Sequence, residues 1–108
     1  MKTNKTNSNI IRQGDVLMIP IKSIPENKTQ TKNVTLALGE VTGHHHTIFE
    51  NAVGFADAVD TLCEYVQVKA GGADLTHQEH ETITVEEGNY QVIRQTEYTP
   101  QELRNVKD

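Results

Sequence analysis

The apolar residues of this chain come in runs too short for ordinary helices, and turn residues cut them at close intervals. Val16-Leu17-Met18-Ile19 lies between Gly14-Asp15 and Pro20. A short apolar run bounded by Gly and Pro suits a buried strand better than a helix. Residues 10–21 thus read as an extended pair interrupted at Gly14-Asp15. Val34 to Leu38 is strand-like, Gly39-Glu40 is a turn or bulge, and Val41 to Phe49 resumes an extended pattern. The stretch EYVQVK, residues 64–69, alternates cleanly. Thr82 to Val85 alternates as well, Glu86-Glu87-Gly88-Asn89 has turn chemistry, and Tyr90 to Gln95 returns, which predicts a hairpin.

Helical signals are few. Ala52, Val53, Phe55, Ala56 and Val59 line one side of a short helix, although a strand and loop account for them equally well. Thr99 to Leu103, with Pro100 at its start, resembles the first turn of a helix. Residues 26–33 and 70–73 read as loops. This pattern predicts a mainly β fold: a small antiparallel barrel or sandwich with at most one or two short helices.

With 108 residues, the chain has room for one domain and one modest core. Residues 1–9 are expected to be a disordered lead-in and residues 10–108 a single β-rich domain. Hydrophobic residues make up 35% and aromatics 5%, with no Trp, so the core is thin and a homodimer is the expected source of further burial. No apolar stretch approaches the roughly twenty residues of a membrane span. The opening MKTNKTNSN lacks the apolar middle of a signal peptide, so the expected location is the cytoplasm. The single cysteine, Cys63, excludes an internal disulfide framework and a cysteine-rich zinc site, and its expected role is a small buried or half-buried side chain. A net charge of −5 argues against a broad grip on duplex DNA. A small anionic ligand needs only two or three cations and some backbone N–H groups.

All five histidines fall in two clusters, GHHHTI at 43–48 and LTHQEH at 75–80. Side chains on a strand alternate faces. His44, His46 and Ile48 therefore share one side, and His45, Thr47 and Phe49 the other. Gly43 lets the backbone bend or approach a ligand. In the second cluster, Asp74 or Thr76 would cap a single helical turn bearing His77, Glu79 and His80. Residues three apart share a face of such a turn, so His77 and His80 would point together. Taken alone, the pair His44 and His46 fits a solvated strand face as well as a site. The second cluster tips the balance toward a site.

Two chemistries use such a set. A metal site would draw on the strand histidines with His77 or His80 and Glu79. His-x-His on a strand is the cupin spacing, but Glu50 lies too close to His46 and the later cupin motif is missing. The other chemistry needs no metal or cofactor. An RNA-type phosphodiester carries its own nucleophile, the 2′-hydroxyl; cleavage needs a base, an acid and a donor to the phosphoryl oxygens. Histidine serves the first two roles because its pKa lies near neutrality. Arg12, in Arg12-Gln13-Gly14-Asp15, would offer a cation beside a nest of backbone donors. Arg94 would hold phosphate as a fork, with Gln95 and Tyr98 donating hydrogen bonds or stacking. Each of these four, taken singly, also fits an ordinary edge-strand residue, and Lys69 reads as an ordinary surface lysine.

The segments RQGDVL, LGEVTGHHHTI, LTHQEH and EGNYQVIRQTEYTP together resemble a family of small bacterial and phage-encoded proteins that accompany type III CRISPR systems and belong with ring nucleases. The resemblance covers the chain from Arg12 onward. It implies a homodimeric β-rich protein that linearises cyclic oligoadenylate without metal. The positions it carries across are Gly43, His44 and His46, then His77, Glu79 and His80, then Arg94, Gln95 and Tyr98. Two other readings are a small metal-binding β-barrel and a non-catalytic protein that sequesters a nucleotide signal.

Overall fold

The computed structural model describes residues 10–38 and 44–95. Ten strands and no helix form among them: β1 (Ile11–Gln13), β2 (Val16–Ile21), β3 (Thr29–Gln30), β4 (Val34–Leu38), β5 (His45–Ile48), β6 (Ala52–Ala56), β7 (Tyr65–Val68), β8 (Ala73–Thr76), β9 (Ile83–Val85) and β10 (Gly88–Arg94). They make two sheets, ordered β1-β2-β10-β7-β6-β3 and β4-β5-β8-β9. The pairings are antiparallel, and the result is a small β-sandwich. The expected lead-in at 1–9, the turn at Gly39-Glu40 and the helical turn near Pro100 lie outside the described residues, as do Gly43 and Tyr98.

The core lies between the sheets. Val16, Met18, Val66, Val68, Tyr90 and Val92 come from the six-stranded sheet, and Leu36, Ile48, Ala73, Leu75 and Val85 from the other. Alternation does the sorting: Val66 and Val68 are buried while Gln67 between them is exposed. Cys63 is fully buried, as expected, and burial pushes its thiol pKa up to about 12. Pro20 sits in β2 beyond the stretch that pairs with β1, so its missing N–H breaks no ladder on that side.

The turn between β1 and β2 is two residues long, because Gln13 pairs with Val16. Gly14 has φ 62°, a type II′ pattern that suits the twist of a hairpin and that glycine adopts without strain. The ambiguous stretch 50–60 resolves as β6 and a loop. Ahead of β6, Asn51 takes φ 65° and its Nδ2 donates to the carbonyls of Ala70 and Gly72, tying two loops together.

Two local expectations fail for the same reason. The predicted hairpin between Thr82–Val85 and Tyr90–Gln95 does not form. Instead β9 pairs with β8 in one sheet, and β10 pairs with β2 and β7 in the other. The turn-like residues Glu86 and Glu87 are a corner from layer to layer. Val85 and Tyr90 are buried from opposite sides, Gly88 takes φ 151°, and the Tyr90 hydroxyl donates to the Glu86 carbonyl. A short period-two pattern is satisfied by any partner that buries its apolar face, so the tertiary contact chooses the partner. The helical turn at 77–80 is likewise absent and is a bend between β8 and β9. Its proposed caps are occupied within the sheet: Thr76 Oγ1 donates to the Thr47 carbonyl, and Asp74 accepts from Thr84.

Candidate functional site

β5 runs beside β8, and the bend that follows β8 folds back over it. Four histidine rings meet there. Ring centroids lie 4.4 Å apart for His46 and His77, 4.6 Å for His77 and His80, 5.6 Å for His44 and His77, and 5.7 Å for His46 and His80. The two clusters therefore converge, although through a bend rather than a helix face. Gln78 holds the bend in place, since its Oε1 accepts the backbone N–H of His45 at 2.9 Å.

Alternation along β5 places the rings as expected. His46 and Ile48 are both 2% exposed, facing the core. The His45 ring stands on the other side of the strand, hydrogen-bonded to Thr47 Oγ1 and edge-on to the exposed Phe49, with its Nε2 3.4 Å from Gln78 Nε2. His44 is partly exposed, with Nδ1 3.8 Å from Glu79 Oε2.

The chain segment that completes the site is the β1–β2 turn. Gln13 is buried, and its amide nitrogen donates to the carbonyls of Leu75 and Glu81, both at 2.9 Å. Two carbonyl acceptors require the NH2 end there, so Gln13 Oε1 points at His46 Nδ1, 2.8 Å away. An amide oxygen only accepts, so His46 Nδ1 carries the proton and its Nε2 keeps a lone pair. That Nε2 lies 3.8 Å from Asp15 Oδ1. Gly14 packs directly on the rings: a Cβ there would come within 2.7 Å of His80 Nε2 and 3.3 Å of His46 Cε1. Gln13, Gly14 and Asp15 are the residues that sequence reasoning missed, because only Arg12 of that motif was assigned a side-chain role. The signal was present in the Gly-Asp turn, but nothing in the sequence says what a hairpin turn touches.

Burial pushes His46 down from 6.5 to about 4; the nearby His77 adds to this and Asp15 opposes it. His77 is also lowered, by desolvation first and then by His80 and His44, with Glu79 opposing. The folded state thus binds fewer protons than the unfolded chain between these values, so stability is complete above pH 6.5 and is lost as pH falls toward about 4. The loss from His46 is expected to reach about 2 kcal/mol between pH 6.5 and pH 5. Urea titrations at those two values measure it, and His46→Gln should flatten most of the difference.

Arg12 stays at the site's rim, donating to Gln95 Oε1 at 2.9 Å, while the Gln95 N–H donates to the Asp15 carbonyl. Arg94, expected to hold phosphate, is engaged by the backbone of the fold. Its Nε donates to the Leu36 carbonyl and its Nη2 to the Cys63 carbonyl, at 2.7 and 2.8 Å, so it binds the two sheets together instead. These bonds use two of the five guanidinium N–H donors and tie the side chain to the fold. Arg94→Leu should therefore cost about 2–3 kcal/mol in denaturant titration, and leave the histidine ring signals of the folded protein unchanged.

Among the described residues, no group of three or more His, Cys, Asp or Glu side chains is arranged to hold a metal ion. A cleft of about 670 Å3 opens elsewhere, between Pro20, Ile21, Lys22, Glu86 and Tyr90, and contains no histidine. No described helix is long and apolar enough to cross a membrane. Comparison with curated proteins and with solved structures finds no match. A family model described as a domain of unknown function, DUF8820, matches residues 12–95, a stretch that holds the β1–β2 turn and all four converging histidines. The chain belongs to the DUF8820 family.

Proposed function

We propose that the protein is a metal-independent phosphodiesterase that opens cyclic oligoadenylate, using the 2′-hydroxyl as nucleophile and imidazoles to move protons. The observation that carries this reading is the state of His46: a buried, neutral ring whose Nδ1–H is given to Gln13 and whose Nε2 keeps its lone pair, with the rings of His77 and His80 beside it. Such a nitrogen is unprotonated at neutral pH, so its lone pair is available to accept a proton.

In the proposed step, His46 Nε2 takes the proton of the 2′-hydroxyl. The 2′-oxygen bonds to phosphorus, the bond from phosphorus to the 5′-oxygen breaks, and that oxygen takes a proton from His44 or His80 in its protonated form. The products are a 2′,3′-cyclic phosphate and a 5′-hydroxyl. Asp15, 3.8 Å from Nε2, stabilises the imidazolium as it forms, and Glu79 orients His44. Arg12, held by Gln95, supplies a cation at the rim. Cyclic oligoadenylate is the substrate indicated by the family resemblance. A homodimer would suit it, since a two-fold axis presents the same residues twice to a symmetric ring.

The test is incubation of purified protein with cyclic tetra- and hexa-adenylate in EDTA, with products separated by chromatography. Linear products ending in 2′,3′-cyclic phosphate are expected. Intact ring, or cleavage only after metal is added, would overturn the proposal. Tight binding that leaves the ring intact and survives His44→Ala would identify a sequestering protein instead.

A further inference from the structure

We infer that the cluster engages phosphate through an uncharged pair, His46 accepting a proton and His77 donating a hydrogen bond, and that it therefore takes monoanionic phosphodiesters and refuses dianionic phosphomonoesters. This rests on the proposed function for its chemistry, but its charge selection is read separately.

The second half of the pair comes from the bend. His77 Nδ1 accepts the backbone N–H groups of Glu79 and His80, at 3.0 and 3.3 Å. A nitrogen that accepts from backbone donors carries no proton, so the neutral ring holds its hydrogen on Nε2. His46 has the opposite tautomer, imposed by Gln13. Two rings with centroids 4.4 Å apart thus differ in the nitrogen that carries hydrogen, and each is held so by groups outside the cluster. His77 fits the role of a donor to a phosphoryl oxygen, like an oxyanion-hole N–H, rather than that of an acid. Its Nδ1 is occupied and its Nε2 protonated, which also suits it poorly to binding metal.

The surrounding charge favours the lower phosphate charge. Asp15 lies 3.8 Å from His46 and Glu79 3.8 Å from His44, and both carboxylates are substantially exposed on this side. Arg12 is held at the rim by Gln95 and the Gly14 carbonyl. A dianionic phosphate is best held by several cations and bidentate forks, and a second negative charge beside two carboxylates is repelled. A phosphodiester carries one charge, which the His77 N–H and the single protonated imidazole of the proposed step suffice to meet. A cyclic oligonucleotide has internal diester links and no terminal phosphate, so it meets this rule at every linkage.

The test uses protein labelled with 15N at histidine. Imidazole nitrogen shifts at pH 7.5 should show His46 protonated on Nδ1 and His77 on Nε2. The ring signals are then followed on titration with 2′-deoxyadenylyl-deoxyadenosine, a diester that lacks the nucleophile, and with adenosine 5′-monophosphate. The diester should bind at least about tenfold more tightly. His77→Gln, which keeps an N–H donor, should retain diester binding to within about threefold, while His77→Leu should lose about tenfold or more. Identical tautomers on both rings, equal or tighter binding of the monophosphate, or binding of neither compound would overturn the inference. If the diester binds as expected but cyclic oligoadenylate is never cut, the proposed function falls and the charge selection stands.

Discussion

His46→Gln is expected to lower cleavage of cyclic oligoadenylate by about 100- to 10,000-fold, the range associated with loss of a positioned general base. Glutamine has nearly the reach of the imidazole and can still donate to Gln13 Oε1, so the buried hydrogen bond is replaced rather than orphaned. What it cannot do is take a proton at the position of Nε2. The measurement is a single-turnover rate on cyclic tetra-adenylate, with circular dichroism confirming the fold. The informative control is His45→Ala. His45 is the neighbour in sequence, but its ring faces Thr47 and Phe49 on the other side of β5, so its loss should change the rate less than about threefold. Equal losses in the two variants, or a His46→Gln rate within threefold of the parent, would remove His46 from the role of base.

Gln13→Ala is expected to destabilise the fold by about 2–4 kcal/mol and to abolish activity in whatever fraction remains folded. Gln13 is 2% exposed and makes three hydrogen bonds, to the carbonyls of Leu75 and Glu81 and to His46 Nδ1. Truncation leaves two acceptors and one donor without partners, and opens a polar hole where β1 meets the start of the β8–β9 connection. Gln13→Glu separates the two roles. The carboxylate can still accept from His46, but it turns an oxygen toward two carbonyls and places a negative charge against the ring. Its denaturation midpoint should also fall, while the His46 pKa should rise above its low native value of about 4. Urea denaturation gives the first quantity and the pH dependence of the ring signals the second. A loss below about 1 kcal/mol for Gln13→Ala would show that solvent fills the hole without penalty.

Much of the strand content was legible because short apolar runs with period-two alternation fit little else. Val34–Leu38 is a strand with the boundaries expected from its composition, and 64–69 contains β7. The split within GHHHTI was legible for the same reason: alternation alone separates His46 from His45. The failures are those of pairing. The expected strands at 82–85 and 90–95 contribute to β9 (Ile83–Val85) and β10 (Gly88–Arg94), yet these lie in different sheets. Arg94 illustrates the limit for single side chains. A cation at the end of a strand looks available for phosphate until β4 of the other sheet and the loop before β7 bring the carbonyls of Leu36 and Cys63 within reach.

The sequence by itself determined the class of fold, the separation of the histidines into two groups, and the face on which each strand histidine stands. These are local properties, set by backbone periodicity and by which residues tolerate turns. Only the tertiary structure decided that the groups meet, that the Gln13-Gly14-Asp15 turn closes over them, and which nitrogen of His46 and of His77 carries the proton. A tautomer depends on whether the atom about 3 Å away donates or accepts, and in this chain those atoms come from residues tens of positions distant for His46 and from the adjoining bend for His77. No local pattern encodes such a partner, so the chemistry of the site is a property of the packed sandwich rather than of either histidine motif.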